Sequence, residues 1–337
     1  TIKFKIDIKE LSLFLETIKP SINYRDISIP SNNVKVYIDF LSLLKTDPKI
    51  EKINLTLKQI DINQLKDLSS VIKPSNLRSF INNKVKKGKI DLELEVFLDE
   101  NNILDNFIAK GSVSSLKTEV IKNINLEKTK FNFIADKTDI LIKNFYTEAE
   151  GFLIEDGDLK LQLLSEISLD SNFLTKINYN LNKSDHLNFL KKLNQIKNLT
   201  NLEAEIKNNL EIKFDKTYKV KNYYYKNSGK IKNANFVFKQ PITNYFLQDN
   251  INKLSLNNSQ IDTIYSSKKK SLNIAGKYSL NDGNNLSFNL KNNLNKQSTI
   301  INISADYDQS LSLDIINYEK PVNTLANFSI DLVKKKD

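Results

Sequence analysis

Strict alternation of apolar and polar residues dominates this sequence of 337 residues. The clearest run follows Gly88, where every second residue is apolar and the residues between them are mostly acidic. The apolar positions of that run are Ile90, Leu92, Leu94, Val96 and Leu98. Because successive side chains of a β-strand point to opposite faces, this pattern predicts a strand with one buried face and one face in water.

The same period of two recurs along the chain and predicts an antiparallel meander of many strands. The predicted fold class is therefore mainly β. The further predicted strands cover residues 2–8, 34–38, 53–57, 131–134, 159–163, 210–214, 235–238, 254–256, 272–274, 286–290, 301–303 and 311–315.

Asparagine is expected to replace glycine in the turns between these strands. The sequence holds 7 Gly and 6 Pro, whereas ordinary usage would give roughly 24 and 17. Asn is the non-glycine residue that best tolerates left-handed turn positions, and residues 281–284, Asn-Asp-Gly-Asn, are the clearest hairpin signal.

Helical spacing of apolar residues is confined to short stretches. The predicted helices cover residues 11–18, 62–72, 75–88, 185–196 and 241–246. The helical stretches before Gly88 and after Asp185 are each followed by a similar order of strands, which indicates a weak internal repeat of about 120 residues. We therefore predict an N-terminal β segment, residues 1–60, followed by two helix-plus-strand repeat units, residues 61–184 and 185–337.

The composition excludes most catalytic and metal-binding chemistries. With no Cys and one His, the chain can form no disulfide, thiolate metal site, cysteine nucleophile or metal site built on two imidazoles. No Ser or Asp constellation near His186 forms a recognisable triad, so a solvated side chain is a better interpretation than a general base. We predict no catalytic residue, no metal and no cofactor, and the protein is expected not to be an enzyme.

An acidic cluster surrounds two glycines and superficially resembles a calcium loop. Its members are Glu148, Glu150, Glu155, Asp156 and Asp158. The cluster lacks the alternating ligand order that ends in a bidentate Glu, so a solvated turn is the better interpretation.

The formal charge of +10 comes almost entirely from lysine, because only Arg25 and Arg78 are arginines among 50 basic residues. The planar guanidinium group of arginine can form paired hydrogen bonds with guanine or phosphate, whereas lysine is a flexible point charge. Residues 221–239 interleave aromatic side chains with lysines, as a stacking platform for nucleic acid would. Three consecutive tyrosines must alternate between faces, however, so an ordinary strand is the better interpretation and no nucleic-acid partner is expected.

We expect the sequence to be a segment of a longer chain, since it contains no Met. No apolar run approaches the roughly 18 residues that cross a bilayer, and no signal peptide is recognisable. Any membrane anchor or targeting signal is therefore expected to lie outside this segment.

A fixed order of glycines and strands follows residue 110. Gly111 opens a strand, alternating strands follow at residues 131–134 and 139–145, and Gly151 and Gly157 precede the strand that ends at residue 163. This order resembles the repeating pattern of the bacterial AsmA-like family, which includes the TamB and YhdP relatives. Residues 50–165 carry the resemblance best, and residues 274–290 resemble a later copy of the same pattern.

The resemblance implies both a fold and a function. Members of the family are envelope proteins that are anchored by one N-terminal helix in the inner membrane. They span the periplasm with a half-open β-groove lined by apolar side chains and are implicated in carrying phospholipid from the inner to the outer membrane. For this chain it implies a long curved antiparallel sheet that forms a half-open apolar groove, a β-taco-like fold, with a few short amphipathic helices. It also implies a periplasmic location, contact with both membranes through regions outside the segment, and envelope protein partners.

On this interpretation one face of the strands binds phospholipid acyl chains. The candidate groove residues are Ile90, Leu92, Leu94, Val96, Phe131, Phe133, Ile140, Ile142, Leu159, Leu161 and Leu163. The alternative is a structural or adhesive β-rich surface repeat, in which the same residues fill a closed core and no lipid binds.

Overall fold

The computed structural model describes residues 2–7, 12–24, 27–39, 42, 49–70, 76–121, 124–149, 151–164, 166–180, 198–215, 219–244, 247–294 and 298–335. The strands are β1 Ile2–Asp7, β2 Ser12–Ile18, β3 Ser21–Tyr24, β4 Ile27–Pro30, β5 Asn33–Ile38, β6 Ile50–Asp61, β7 Val85–Leu98, β8 Leu104–Ile121, β9 Ile124–Ala135, β10 Asp139–Ala149, β11 Phe152–Leu163, β12 Ile167–Asn180, β13 Leu199–Phe214, β14 Val220–Asn244, β15 Leu247–Ser266, β16 Lys270–Leu280, β17 Leu286–Leu294, β18 Ser298–Tyr307, β19 Leu311–Leu313, β20 Tyr318–Lys320 and β21 Ala326–Lys335. The helices are α1 Ile62–Ser70, α2 Asn76–Lys84 and a short 3-10 helix, Asp314–Ile316.

The predicted fold class is confirmed. The protein is mainly β, its strands form a long antiparallel sheet that is not closed, and the described residues contain only two short α-helices. Most strands are longer than the alternation predicted, because polar residues at their ends still pair with neighbouring strands.

The chain divides into two compact units. Unit 1 comprises Thr1–Ala149 and Glu155–Ser168, and unit 2 comprises Glu150–Ile154 and Leu169–Asp337. The predicted division into residues 1–60, 61–184 and 185–337 is a statement about repeats and stays a prediction.

Unit 1 is built on a ladder of antiparallel strands. Strands β1, β2, β5, β6, β7, β8, β9 and β10 pair in that order. Strands β3 and β4 form a separate two-stranded hairpin. Helices α1 and α2 contact each other and pack against the central strands β6, β7 and β8, and they connect the end of β6 to the start of β7.

Unit 2 is built on a second antiparallel ladder. Strands β13, β14, β15, β16, β17, β18 and β21 pair in that order, and β19 pairs with β15 and β20. A compact hydrophobic core lies at one end of this unit, made of Tyr179, Leu199, Ala204, Ile231 and Ala234.

Two predicted helices are wrong where they can be compared with the structure. Residues 12–18 form strand β2, which pairs with β1 and β5. The helical spacing there was misleading because both faces of β2 carry large side chains, with Leu13 on one face and Phe14 on the other, and both are buried. Pro241 lies inside β14, at an irregularity in the pairing with β15 between Val237 and Ile242, where the missing N–H of proline is tolerated.

The other predicted helices have mixed outcomes. The helices predicted at residues 62–72 and 75–88 correspond to α1 and α2, although α2 ends at Lys84 and Gly88 lies inside β7. Residues 311–315 begin as strand β19 but turn into the 3-10 helix at Asp314. The helix predicted after Asp185, and His186 with it, lies outside the described residues.

Asparagine takes the left-handed positions as expected. Among the twelve described non-glycine residues with positive φ, six are Asn, and Gly151 is the only described glycine with positive φ. Asn281 and Asp282, with φ of 49° and 62°, form the turn between β16 and β17. The hairpin predicted at residues 281–284 is therefore confirmed.

A row of β-bulges crosses unit 1. Gln59 on β6, Ser115 on β8 and Asn144 on β10 have φ of 56°, 52° and 56°, and the strand register shifts at each of them. A bulge bends its strand and increases the local twist. Because the bulges occur at nearly the same level on alternate strands, we expect them to bend the ladder along one line.

Candidate functional site

The predicted groove residues of β7, β9 and β10 lie on one face of unit 1. Ile90 is the direct cross-strand partner of Val113, which in turn faces Phe131. The next two rows along the strands are also apolar. The first of these rows consists of Leu57, Leu92, Gly111, Phe133 and Ile142. The second consists of Leu55, Leu94, Ala109, Ala135 and Ile140. Val96 continues the same face between Ile53 and Phe107.

The predicted residues of β11 belong to the same face. Two ion pairs join β10 and β11 through residues of the opposite parity: Lys143 Nζ lies 2.6 Å from Asp158 Oδ2, and Lys160 Nζ lies 3.9 Å from Asp139 Oδ2. Since side chains alternate along a strand, Leu159, Leu161 and Leu163 project to the side that carries Ile140 and Ile142.

This apolar face is only partly covered. Every predicted groove residue is half-buried, and none belongs to the buried core. Two other members of the same rows, Leu57 and Val113, are buried, with 4% and 7% of their surface exposed. The cover is therefore uneven along the face.

The apolar face extends beyond the residues chosen from the sequence. Phe4 pairs with Leu15, Leu15 with Val36, and Val36 with Ile53, so the face continues from β6 to the edge strand β1. There Ile2, Phe4 and Ile6 are 71%, 61% and 72% exposed. The period of two in residues 2–8 and 34–38 was the signal that could have included these strands.

Gly111 lets an aromatic ring lie across this face. A Cβ at position 111 would come within 2.8 Å of the Phe133 ring, closer than real side chains approach. The Phe131 ring stacks on Phe145 with centroids 6.1 Å apart. The glycine therefore allows the rings of β9 to fill the row without a competing side chain on β8.

The opposite face of unit 1 is charged and paired. Lys5 donates to Glu16, and Asn33 Nδ2 donates to Glu16 Oε1 at 2.9 Å. The hydrogen bond from Lys5 lowers the pKa of the Glu16 carboxyl. Hydrogen bonds from Lys128 and Tyr146 likewise lower the pKa of Glu148. One side of the sheet thus carries ion pairs together with the buried rings of Phe14 and Tyr37, and the other side is apolar.

Unit 2 also presents an apolar face, but polar rows interrupt it. One row is apolar across seven strands and consists of Ile206, Gly229, Ile261, Ile274, Leu290, Ile303 and Ile330. The next row along the strands contains what we call the polar band, Asn208, Asn227, Thr263 and Asn292, with Leu272 between the last two. The row after it, the cationic row, contains Tyr225, Tyr265, Lys270, Thr299 and Lys334, with Leu294 between Lys270 and Thr299.

Hydrogen bonds hold the first members of the polar band in place. Tyr225 donates its hydroxyl to Asn208 Oδ1 at 2.6 Å, and Asn208 Nδ2 donates to Thr175 Oγ1 at 2.9 Å. Thr263 Oγ1 donates to Asn227 Oδ1 at 2.7 Å. By contrast, Asn292 Oδ1 is buried without a hydrogen-bond partner among the described residues.

In the cationic row, the ammonium group of Lys270 lies against stacked tyrosine rings. Tyr223 and Tyr265 stack with centroids 5.5 Å apart, and Lys270 Nζ lies 4.3 Å from the Tyr265 ring centroid. A hydrogen bond with Lys270 lowers the pKa of the Tyr265 hydroxyl. The tyrosines of residues 223–225 alternate between faces as the sequence indicated, because Tyr223 and Tyr225 pair with Ile212 and Leu210 while Tyr224 pairs with Glu211.

The acidic cluster does not form a metal site in the part that the structure describes. Glu148 Oε2 lies 2.9 Å from Lys128 Nζ, and Asp158 pairs with Lys143 as given above. No group of three potential metal ligands occurs among the described residues.

Neither described α-helix is long and apolar enough to cross a lipid bilayer. No protein-family model, no curated protein and no solved structure matches this chain.

Proposed function

We propose that this chain is a lipid-binding segment whose open apolar sheet face takes phospholipid acyl chains. The observation that supports the proposal best is the apolar face of unit 1, which runs across consecutive strands and on which all the predicted groove residues stay half-buried. Acyl chains require contiguous apolar area and no directional partner. Each methylene removed from water contributes about 0.8 kcal/mol, so several rows of Leu, Ile, Val and Phe are enough for stable binding.

The proposed role of such a segment is to carry phospholipid between the inner and outer membranes. Successive rows on the face of unit 1 offer similar apolar contacts, so a chain can move from row to row without leaving one deep energy minimum. The resemblance to AsmA-like proteins supports the membranes, the periplasmic location and a role for envelope protein partners. On this proposal the protein is not an enzyme and needs no cofactor.

The proposal is tested by native mass spectrometry and lipid extraction of the chain, purified without detergent from bacterial cells. We expect phospholipid at a stoichiometric level in the unmodified chain. Leu94→Asp places a charge in the middle of the apolar face and should remove most of the bound lipid. Its matched control is Asn132→Asp, which adds the same charge at an exposed position on the opposite face and should retain lipid.

Two outcomes would contradict the proposal. A stable, monodisperse chain without lipid would favour the structural or adhesive β-rich repeat. Global unfolding of Leu94→Asp, followed by circular dichroism, would show that position 94 belongs to a closed core, because a charge there could then not reach water. Retention of the fold together with loss of lipid is the result that the proposal requires.

A further inference from the structure

We propose that the polar band and the cationic row of unit 2 form a head-group site for a glycerophospholipid whose acyl chains lie on the adjoining apolar row. This inference rests on the proposed lipid-binding function. It adds the place and the direction in which the lipid is held.

The order of chemistry along β15, together with its cross-strand partner Lys270 on β16, matches the order along a glycerophospholipid. On β15, Ile261 lies in the apolar row, Thr263 in the polar band and Tyr265 in the cationic row. Each step covers two residues, or roughly 6.6 Å. An acyl chain, an ester-linked glycerol and a phosphate follow one another over similar distances, so each part meets side chains of its own kind.

The polar band has hydrogen-bonding capacity that the protein itself does not use. Asn208 already forms hydrogen bonds with Tyr225 and Thr175, so its role in the polar band is structural. Asn227 receives the Thr263 hydroxyl on its Oδ1, while its Nδ2 has no partner among the described residues. Asn292 Oδ1 is buried and unpartnered in the same part of the structure. Leaving such a group unpaired is unfavourable. A glycerol hydroxyl or a bridging water that binds at Asn227 gains a partner there, and a movement of the Asn292 side chain would offer a second one.

Lys270 supplies the charge that distinguishes a phosphate from a neutral head. Its ammonium is held over the Tyr265 ring, and it makes no ion pair with a carboxylate among the described residues. Lys334 lies in the same row on β21, two strands beyond Leu294. The cationic row is therefore complementary in charge to a phosphodiester, whereas the apolar row two residues away is complementary to its chains.

The experiment compares two lipids with identical fluorescent acyl chains, phosphatidylglycerol and diacylglycerol, titrated into the full chain at low ionic strength. We expect phosphatidylglycerol to bind about tenfold more tightly, the equivalent of one charge-assisted hydrogen bond. Lys270→Gln should bring the ratio close to one, and Lys270→Arg should keep it. Lys268→Gln removes the same charge from the exposed turn before β16 and is the matched control.

The outcomes separate the two proposals. If both lipids bind equally well to the unmodified chain, or if Lys270→Gln keeps the same ratio as Lys268→Gln, the head-group site is overturned while the lipid-binding function stands. If neither lipid binds, the proposed function fails and the head-group site fails with it. Circular dichroism of each variant excludes unfolding as the cause, and Lys270→Arg supplies a folded variant that keeps the charge.

Discussion

The apolar faces of the two units differ in continuity. In unit 1, the described residues of successive rows are almost all Leu, Ile, Val, Phe and Ala, and the polar Thr129 and Thr147 are buried and hydrogen-bonded to each other at 2.6 Å. In unit 2, the polar band crosses the face and part of its hydrogen-bonding capacity is free. A continuous face can hold an apolar chain at any position, whereas an interrupted face selects a position and a direction.

Both units bury some apolar side chains and leave others half-buried. Unit 2 has the compact core around Ile231 and unit 1 buries Leu57, Ile60 and Val113, whereas the predicted groove residues of unit 1 remain half-buried. Stability and ligand contact are therefore assigned to different residues, and a substitution can test one property with little effect on the other.

The largest effect is expected from truncation of the core of unit 2. Ile231 is 7% exposed, so Ile231→Ala should lower the free energy of unfolding by about 3 kcal/mol. Leu94→Ala on the apolar face of unit 1 should cost about 1 kcal/mol, because a half-buried side chain loses less transfer energy and leaves no closed cavity. Urea unfolding measures both. Equal costs would remove the distinction between a core and an open face.

A smaller effect is expected from alkaline pH on unit 2. Burial raises the pKa of Tyr278 to about 12 from an ordinary value of 10.0, and its hydroxyl donates to the Asp306 carbonyl at 2.6 Å. The neutral phenol is thus favoured in the folded state. Its contribution to stability is complete below pH 10 and is lost as the pH rises from about 10 to about 12, by roughly 2 to 3 kcal/mol.

Tyr278→Phe isolates that contribution from the titration of the many lysines. The variant should lose less stability than the unmodified chain over the same pH interval, as measured by urea unfolding at several pH values. Parallel curves for the two proteins would show that the Tyr278 hydroxyl is not protected from solvent.

The smallest effect is expected where the polar band leaves an amide unpaired. Asn292→Leu removes the unpartnered Oδ1 and should raise the free energy of unfolding by about 1 kcal/mol or less. The same variant makes the apolar face more continuous and should weaken the binding of phosphatidylglycerol and diacylglycerol to a similar extent, because both lipids carry the glycerol that the polar band is proposed to bind. A loss of stability would instead mean that Asn292 is an ordinary structural residue.

The sequence predicted the β class and the apolar face of unit 1 because both depend on a period of two, which is local. It misassigned residues 12–18 because large side chains on both faces of β2 imitate helical spacing. The polar band could not be predicted, since Asn208, Asn227, Thr263 and Asn292 are far apart in sequence and only the strand register aligns them. The bulge at Asn144 likewise depends on pairing with β9.

The bulges at Gln59, Ser115 and Asn144 place the origin of curvature in the backbone of unit 1. Curvature that the backbone itself produces does not depend on side chains that pull the two parts of a sheet together. In unit 1 the backbone conformation at those positions defines the bend, so the apolar side chains on either side are not required to clamp it. Those side chains are therefore available to contact a ligand.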